Sequence, residues 1–252
     1  MKYLVGDIGN TLTKVSLLNE KFKIIKSFNI ETKMLYNKKN RKKFLKKFFL
    51  SSLNKKVLFS SVVPSAFKII KSFFKKKGIK TLEIKDLKVK KIIKLNINNF
   101  KQIGSDRISN AIGAYTKYHT NCLVIDFGTA TTFDVIKKPG VYDGGVIAPG
   151  VSLSIINLKK STALLPILNL KKKARPYGRN TNDALNSGFL WGYQGLINNI
   201  IKKVTSKGKR KYKIILTGGY SYIFKNYINN KSIIDQNITI KGIIKVYKDL
   251  LI

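Results

Sequence analysis

The sequence has very little cysteine and histidine, and few acidic residues. Its single cysteine, Cys122, excludes an internal disulfide and any cysteine-built metal site. Because Cys122 lies in the apolar run 122–125, we expect it to pack as a small core residue. The one histidine, His119, follows a predicted helix, where capping or solvent exposure explains it better than catalysis. No Ser–His–Asp constellation can therefore be built around it.

Long hydrophobic runs are also missing. No apolar stretch approaches the roughly 18 residues that a membrane-spanning helix needs, and Lys2 and Asp7 bring charge too early for a secretory signal. The hydrophobic content of 44%, with 14 Phe and 12 Tyr, excludes a disordered chain. We therefore predict a folded cytoplasmic protein that has no membrane partner.

The charge balance is strongly basic, with 50 Lys and Arg against 12 Asp and Glu and a net charge of +38. Such a balance suggests nucleic-acid binding through phosphate contacts. The alternative is compositional, since an AT-rich genome enriches Lys, Ile and Asn at tolerant surface positions. The lysine clusters are scattered and are not interleaved with aromatic residues, which favours the second explanation. We expect no specific nucleic-acid partner, only nonspecific binding to polyanions at low salt.

Half of the few carboxylates lie in or beside the motifs described below. They are Asp7, Asp106, Asp126, Asp134, Asp143 and Asp183. In a chain with so few acids, carboxylates beside glycine-rich turns are candidates for function.

Two segments of the chain resemble each other. Residues 4–11 read LVGDIGNT and residues 123–130 read LVIDFGTA. Each is an apolar run that ends in a carboxylate, followed by glycine, small polar residues and a second β-prone run. The pattern predicts a strand, a tight turn and an antiparallel return strand. Two such turns predict two related lobes, 1–118 and 119–252, which face a shared nucleotide site.

Both turns have a functional and a plain structural explanation. Asp7 could hold Mg²⁺ and Lys14 could approach phosphate oxygens, or the segment could be an ordinary hairpin. Asp126, followed by the hydroxyl-rich run 129–132, suits oxygen ligation of a cation. The glycines of 144–150 and 217–219 could let the backbone approach adenine or ribose, although strand-to-helix turns use glycine in any case.

The segment Gly104-Ser105-Asp106-Arg107 begins a predicted helix. Capping explains Ser105 as the N-cap and Asp106 in the first turn. It does not explain Arg107, whose charge opposes the helix dipole. The functional alternative is a carboxylate base beside a guanidinium group that binds an anionic substrate. From these residues alone, both explanations stay open.

Periodicity and turn residues predict a mixed α/β chain. Strands are predicted at 2–7, 12–18, 22–30, 56–61, 121–126, 131–136, 144–148 and 213–217, with short strands within 79–95. Helices are predicted at 41–52, from 64, from 106, from about 151, from 181, and at the C-terminal end. Asn180 and Asp183 resemble a capping box. Gly188, Gly192 and Gly195 in the long helix predict close packing, for which a partner subunit is one explanation.

Together these motifs resemble the type III pantothenate kinases, within the superfamily of sugar kinases, Hsp70 and actin. The resemblance runs from Asp7 to Gly219. It rests on residues 7–11, 60–64, 104–107, 126–134, 144–150, 164–166, 178–181 and 217–219. The Gly-x-Asp-Arg element at 104–107 separates this family from other kinases of the superfamily.

The resemblance implies an α/β fold of two duplicated ribonuclease-H-like lobes facing a nucleotide cleft, as in actin-like ATPases. It implies ATP-dependent phosphorylation of pantothenate to 4′-phosphopantothenate, the first step of coenzyme A biosynthesis. It also implies a requirement for Mg²⁺ and a monovalent cation (K⁺ or NH₄⁺), and a homodimer with the substrate pocket near the subunit interface.

The site residues follow from the same resemblance. Asp106 is implied as the catalytic base, for which a low-pKa carboxylate suffices, and Asp126 as the residue that holds the monovalent cation. The implied substrate contacts are Ile97, Gly104, Ser105, Asp106, Arg107 and Thr181. The implied ATP contacts are Asp7, Ile8, Gly9, Asn10, Thr11, Leu12, Thr13, Lys14 and Thr129.

The chain departs from the family at one motif. Where the family usually carries Tyr-x-Asn-Pro, residues 97–100 read Ile-Asn-Asn-Phe. We expect this change to affect pantothenate affinity. The alternatives are another small-molecule kinase of the superfamily, a nucleic-acid-binding regulator on a kinase-like scaffold, and an inactive homologue. The intact Asp7, Asp106 and Asp126 argue against the last.

Overall fold

A computed structural model describes residues 1–48, 52–206 and 211–252. The chain forms two units, each with its own sheet. The first contains 1–118, 140–142 and 237–252, and the second contains 119–139 and 143–236.

The first unit is built on a five-stranded sheet of order β3-β2-β1-β4-β5. Its strands are β1 Lys2–Ile8, β2 Leu12–Leu18, β3 Ile24–Glu31, β4 Leu53–Ser61 and β5 Lys80–Glu83. β2 is antiparallel to both of its neighbours, β1 and β3, whereas β1, β4 and β5 run parallel to one another. The carboxyl ends of β1, β4 and β5 therefore meet at one edge of the sheet, which is where the candidate site lies.

Helices complete the first unit. They are α1 Lys38–Lys46, α2 Pro64–Lys75, α3 Ser105–Tyr118 and α7 Ile238–Leu251. The short strand β6 Lys94–Leu95 pairs with Val141 and Tyr142, which belong to this unit. One core cluster lies between the sheet, α1 and α2, and includes Leu4, Phe59 and Phe74.

The second unit contains β7 Cys122–Phe127, β8 Ala130–Lys137, most of β9 Val141–Pro149, β10 Lys213–Gly218 and β11 Ser232–Ile234. These strands are ordered β11-β10-β7-β8-β9, with β7 antiparallel to β8 and parallel to β10. Its helices are α4 Val151–Lys160, α5 Thr181–Thr205 and the short α6 Ser221–Phe224. Their apolar faces form the second core cluster, with Leu190, Ile197 and Ile201 on α5.

The closing helix α7 joins the first unit, whereas the sequence predicted lobes of 1–118 and 119–252. The reason is a close helix crossing. A Cβ on Gly242 of α7 would lie 1.9 Å from the Ser109 carbonyl oxygen of α3, and one on Gly113 would lie 2.3 Å from that of Ile238. Glycine at both crossing points lets the two helix backbones approach.

Most predicted elements are found within one or two residues of their predicted ends. The helix predicted at 41–52 is an exception, because α1 both begins and ends earlier, at Lys38 and Lys46. It begins where the Asn37 side chain accepts hydrogen bonds from the Lys39 and Asn40 amides. Residues 49–51 of that prediction lie outside the described residues. Within the described ranges, no helix combines the length and apolar character that crossing a bilayer requires.

Candidate active site

The first acidic turn is the β1–β2 hairpin. Asp7 pairs with Lys14 across the two strands, and Ile8 with Thr13. The Gly9 amide donates to the Leu12 carbonyl (3.0 Å) and closes the bend. The predicted strand–turn–strand structure is therefore confirmed, and Asn10 and Thr11 are exposed at its tip.

Thr32 holds this turn in place, which the sequence did not predict. Its amide donates to the Thr11 carbonyl (2.9 Å), and its hydroxyl donates to the Gly9 carbonyl (2.6 Å). The Thr32 and Thr13 hydroxyls are also 2.9 Å apart. Since the Thr13 side chain is buried there and Ile8 is buried in the core, these two residues can offer a ligand only backbone atoms.

Lys14 lies beside Asp7 at the edge of the sheet. Its ammonium donates to the side-chain oxygen of Asn237, the residue that precedes α7. On the other side of β1, Asp7 pairs with Ser60 of β4. The hairpin therefore presents one carboxylate and one ammonium group from adjacent strands, a combination suited to a nucleotide phosphate with its magnesium ion.

The Gly-Ser-Asp-Arg segment begins α3 next to the end of β4. The Ser105 hydroxyl lies 3.2 Å from the Ser61 carbonyl oxygen, to which it can donate. Ser105 is already the first residue of α3, so it connects the helix to β4 instead of occupying the predicted N-cap position. A Cβ on Gly104 would lie 2.3 Å from Asp106 Oδ1 and 3.3 Å from Val62 Cγ1. A side chain at residue 104 would displace the carboxylate of Asp106, which packs directly over it.

Burial raises the pKa of Asp106 above its usual range. The hydrogen bond from the Arg107 amide to Asp106 Oδ1 (2.8 Å), the Arg107 charge and the Lys85 charge partly offset this effect. The family resemblance implied that a low-pKa carboxylate suffices for a base at this position. A raised pKa lies closer to neutral pH, and a general base is most effective when its pKa is near the pH at which it works.

Arg107 follows the carboxylate on α3. The carbon centre of its guanidinium group lies 6.0 Å from the centroid of the Tyr142 ring, a cation–π distance. Tyr142 is buried and belongs to the first unit, like Arg107. This partner could not be predicted from the sequence, because residues 140–142 are distant from Arg107 along the chain and reach the first unit through long-range contacts such as the pairing of β6 with β9.

The segment that departs from the family motif precedes α3. Ile97 is half-buried, two residues after β6. The Asn99 side chain caps a 3-10 turn, Phe100–Gln102, by accepting from the Lys101 amide (2.9 Å). The Phe100 ring lies below the ammonium groups of Lys85 (5.6 Å) and Lys90 (6.0 Å). Phe100 therefore has a packing role of its own.

The second acidic turn lies in the second unit. Asp126 is the second-last residue of β7, and it pairs with Thr132 of β8 and Thr217 of β10. Gly218 adopts φ +82°, and a Cβ there would lie 2.6 Å from Asp126 Oδ1. A Cβ on Gly150 would lie 1.9 Å from the Thr129 carbonyl oxygen. These two glycines thus serve close packing within the protein.

Gly219 differs, because a Cβ there would meet nothing within 4 Å and the backbone is open to a ligand. No group of three or more His, Cys, Asp or Glu side chains that could bind a metal occurs in the described part of the chain. A cation at Asp126 would rely on that carboxylate together with hydroxyl and carbonyl oxygens of the turn. Such hard oxygen donors fit K⁺.

Thr181 lies in the second unit, at the first position of α5. It lines a cavity of about 520 Å³ between α4 and α5, whose other walls are mostly apolar, including Leu158, Leu185 and Phe189. A Cβ on Gly188 or Gly192 would meet nothing within 4 Å. The close packing predicted for these glycines is therefore not supplied by the described residues.

Several of the remaining predictions concern residues with a structural role. The Asn180 side chain caps α5 by accepting from the Asp183 amide, and its nitrogen donates to the Asp183 carboxylate, in place of the backbone amide of a capping box. Asp143 pairs with Lys137. His119 is exposed and ends α3 with φ +48°, as expected of a capping position. Cys122 is fully buried, which raises its pKa to about 11 and confirms its core role.

Comparison with known proteins gives consistent matches. Residues 3–203 match the family model of type III pantothenate kinases. A type III pantothenate kinase from Pelagibacter ubique is 47% identical over 96% of this chain and 97% of its own length. One from a Sulfurihydrogenibium species is 36% identical over 95% of this chain and 97% of its own length.

Solved structures of lower identity share the fold. A Campylobacter jejuni protein, described as a candidate transcriptional activator of the Baf family, has a TM-score of 0.62 at 22% identity over 98% of both chains. The activator of 2-hydroxyisocaproyl-CoA dehydratase from Clostridium difficile, with bound ADPNP, has a TM-score of 0.56 at 12% identity over 98% of this chain and 92% of its own. Identities this low show the fold alone, and they confirm the predicted two-lobed α/β class.

Proposed function

Because this chain belongs to the type III pantothenate kinase family, we propose that Asp106 is the base through which it phosphorylates pantothenate. As a pantothenate kinase it is a phosphotransferase of coenzyme A biosynthesis, and its product is 4′-phosphopantothenate. The observation that carries the assignment of Asp106 is its carboxylate, packed over Gly104 at the start of α3, with a pKa raised by burial.

The reaction requires one proton transfer. The primary hydroxyl oxygen of pantothenate bonds to the γ-phosphorus of ATP as the bond from that phosphorus to the bridging oxygen of ADP breaks. The hydroxyl proton moves to Asp106. In a loose phosphoryl-transfer state this proton leaves late, so positioning of the acceptor carboxylate matters more than its basicity. The raised pKa of Asp106 adds to its strength as a base.

Arg107 is proposed to bind the carboxylate of pantothenate. A guanidinium group can form two parallel hydrogen bonds with a carboxylate. The Tyr142 ring beside it supports its orientation. Gly104 and Ser105 contribute at the same turn, with Ile97 and, in the second unit, Thr181 as further contacts.

ATP is proposed to bind the hairpin turn from Asp7 to Lys14, and Thr129 in the second unit. In this turn, Lys14 offers a positive charge to the phosphates, and exposed Asn10 and Thr11 offer polar groups. Asp7 would hold Mg²⁺, which neutralises phosphate charge when bound. Asp126 would hold K⁺ or NH₄⁺, for which its oxygen-rich turn is suited. A reaction that uses ATP and coenzyme A precursors also favours a cytoplasmic location.

A homodimer is proposed from the α4–α5 face. The cavity there is apolar. α4 also exposes Leu153 and Ile156, and Leu164, which follows α4 in the chain, is 93% exposed. Exposed apolar surface of this kind is typical of a subunit interface. Because Thr181 lines the same cavity, the interface and the substrate site would be connected.

The test is an assay of the purified chain with ATP, Mg²⁺, K⁺ and pantothenate, in which 4′-phosphopantothenate is followed by mass spectrometry. Asp106→Asn keeps the shape of the side chain and removes the base. We expect this variant to lose roughly a hundredfold or more of the wild-type turnover. Asp249→Asn, which removes an exposed carboxylate paired with Lys245 on α7, is the matched control.

The outcomes separate the parts of the proposal. Product that requires pantothenate, survives in Asp249→Asn and disappears in Asp106→Asn supports both the reaction and its base. Full activity of Asp106→Asn would remove Asp106 from that role. No product from the wild-type chain, with or without K⁺, would overturn the proposed substrate.

A further inference from the structure

The end of β5 and the turn that follows it contact the chain on both sides of Gly104, next to Asp106. Glu83 ends β5 and pairs with Phe59 of β4. Its side chain caps the next turn, Ile84–Asp86, by accepting from the Lys85 amide (2.6 Å). Lys85 lies within that turn. Glu83 and Lys85 thus lie at the same sheet edge as Asp7 and Ser60.

Glu83 contacts the beginning of α3. One of its oxygens accepts from the Ser61 amide (3.4 Å), and its carboxylate also interacts with the Ser105 hydroxyl. That hydroxyl has one proton, which the Ser61 carbonyl and Glu83 share as possible acceptors. Glu83 therefore joins the ends of β4 and β5 to the residue immediately before Asp106.

Lys85 contacts the segment that leads into α3. Its ammonium donates to the carbonyls of Lys101 and Ile103, both at 2.9 Å. These two carbonyls lie just before Gly104, over which the Asp106 carboxylate packs. A shift of the 101–103 backbone would therefore move the surface on which that carboxylate rests.

We propose that Lys85 and Glu83 are positioning residues for Asp106, holding the backbone on both sides of Gly104 so that the carboxylate keeps its orientation. The inference rests on the proposed role of Asp106 as the base. A misplacement of about 1 Å at a reacting group can cost roughly a hundredfold in rate. Two polar contacts on one side of Gly104 and one on the other are sufficient to limit such a movement.

The charged groups facing Asp106 make the role measurable. They are Arg107 on its own helix and Lys85 from the turn after β5, with Glu83 behind Ser105. Removal of the Lys85 charge removes one of the effects that lower the Asp106 pKa. The acid limb of the pH profile of kcat/KM should then move to higher pH, a change that a purely structural role would not cause.

The test compares Lys85→Met, Lys85→Arg and Lys90→Met. Lys90→Met is the matched control, because Lys90 lies over the same Phe100 ring and its replacement removes the same charge. We expect Lys85→Met to lower kcat roughly ten- to hundredfold, to leave the KM for ATP within about twofold, and to shift the acid limb upward. Lys85→Arg should recover most of kcat, and Lys90→Met should resemble the wild type.

Glu83→Gln provides a second variant if Lys85→Met does not fold, as judged by circular dichroism. It retains one acceptor oxygen, so we expect a smaller decrease of kcat, about fivefold. A Lys85→Met or Glu83→Gln variant that is folded and has a wild-type kcat and acid limb would overturn the inference. Loss of activity in Asp106→Asn would still support the proposed function in that case. A wild-type chain that makes no product would overturn the proposed function, and this inference with it.

Discussion

At the scale of single residues, burial of the Asp106 carboxyl makes the free energy of unfolding depend on pH. Its raised pKa means that the folded chain retains a proton over a pH range where the unfolded chain has released it. The stability contributed by the protonated group is complete below the pKa of the unfolded carboxyl, about 3.9. It is lost as the pH rises through the higher pKa of the folded state.

Asp106→Asn should therefore be more stable than the wild type at neutral pH. The amide removes a buried charge and keeps an oxygen that can accept from the Arg107 amide. We expect a higher Tm at pH 7 and a difference that shrinks towards pH 4, measured by thermal unfolding at intervals between these values. An equal Tm at pH 7, or a difference independent of pH, would contradict the burial argument.

Arg107 provides a second prediction at this scale. Arg107→Lys keeps the charge but loses the planar fork and its contact with the Tyr142 ring. We expect the KM for pantothenate to rise roughly tenfold, with a smaller change in kcat. Steady-state kinetics would measure both. Arg41→Lys is the control. Arg41 lies on α1 and donates to the Leu35 carbonyl, so its replacement should not change the KM for pantothenate. A fall in kcat alone would instead place Arg107 at the transferred phosphoryl group.

At the scale of elements, the crossing of α3 and α7 packs together two helices that carry or adjoin candidate site residues. α3 carries Asp106, and Asn237, which precedes α7, accepts from Lys14. Gly242→Ala should destabilise the chain by about 1–3 kcal/mol, because the new Cβ would lie 1.9 Å from the Ser109 carbonyl oxygen. Helix propensity alone would give the opposite sign, a gain of about 1 kcal/mol.

Urea unfolding of Gly242→Ala beside Gly195→Ala would measure this effect. Gly195 also lies inside a helix, but a Cβ there meets nothing within 4 Å. Stabilisation in both variants would show that the α3–α7 crossing is not tight.

The sequence predicted elements that short-range patterns determine. The β1–β2 hairpin follows from alternation around Gly9, and the start of α5 follows from the pair Asn180 and Asp183. Contacts between distant segments were not predictable, because their partners have no fixed spacing. Thr32 on the hairpin turn and Tyr142 beside Arg107 are examples. Short motifs could thus indicate candidate site residues, but not the distant residues that contact them.

At the scale of the whole molecule, the net charge of +38 suggests nucleic-acid binding, whereas the family indicates a kinase. Net charge governs solubility and nonspecific association with polyanions, and it carries no information about the fold. The family match concerns particular residues in a particular order, so it decides the function. None of the comparisons supports the nucleic-acid-binding regulator considered from the sequence, since the similarity to a Baf family protein extends only to the fold.

The assembly provides the last prediction. Leu158 on α4 lines the apolar cavity and is 37% exposed, whereas Ile25 on β3 is 43% exposed in the first unit. If the α4–α5 face joins two subunits, Leu158→Glu should weaken the dimer roughly 30-fold or more, the effect of about 2 kcal/mol at an interface. Ile25→Glu, with the same new charge at similar exposure, should leave it intact.

Sedimentation equilibrium would measure the dissociation constants, and steady-state kinetics the consequence for the site. Because Thr181 lines the same cavity, Leu158→Glu should also raise the KM for pantothenate, and it should do so most at protein concentrations where the dimer dissociates. A dimer that persists in Leu158→Glu would move the interface to another surface. A monomeric variant with an unchanged KM would separate Thr181 from the substrate, since loss of the covering subunit would then have no effect on pantothenate binding.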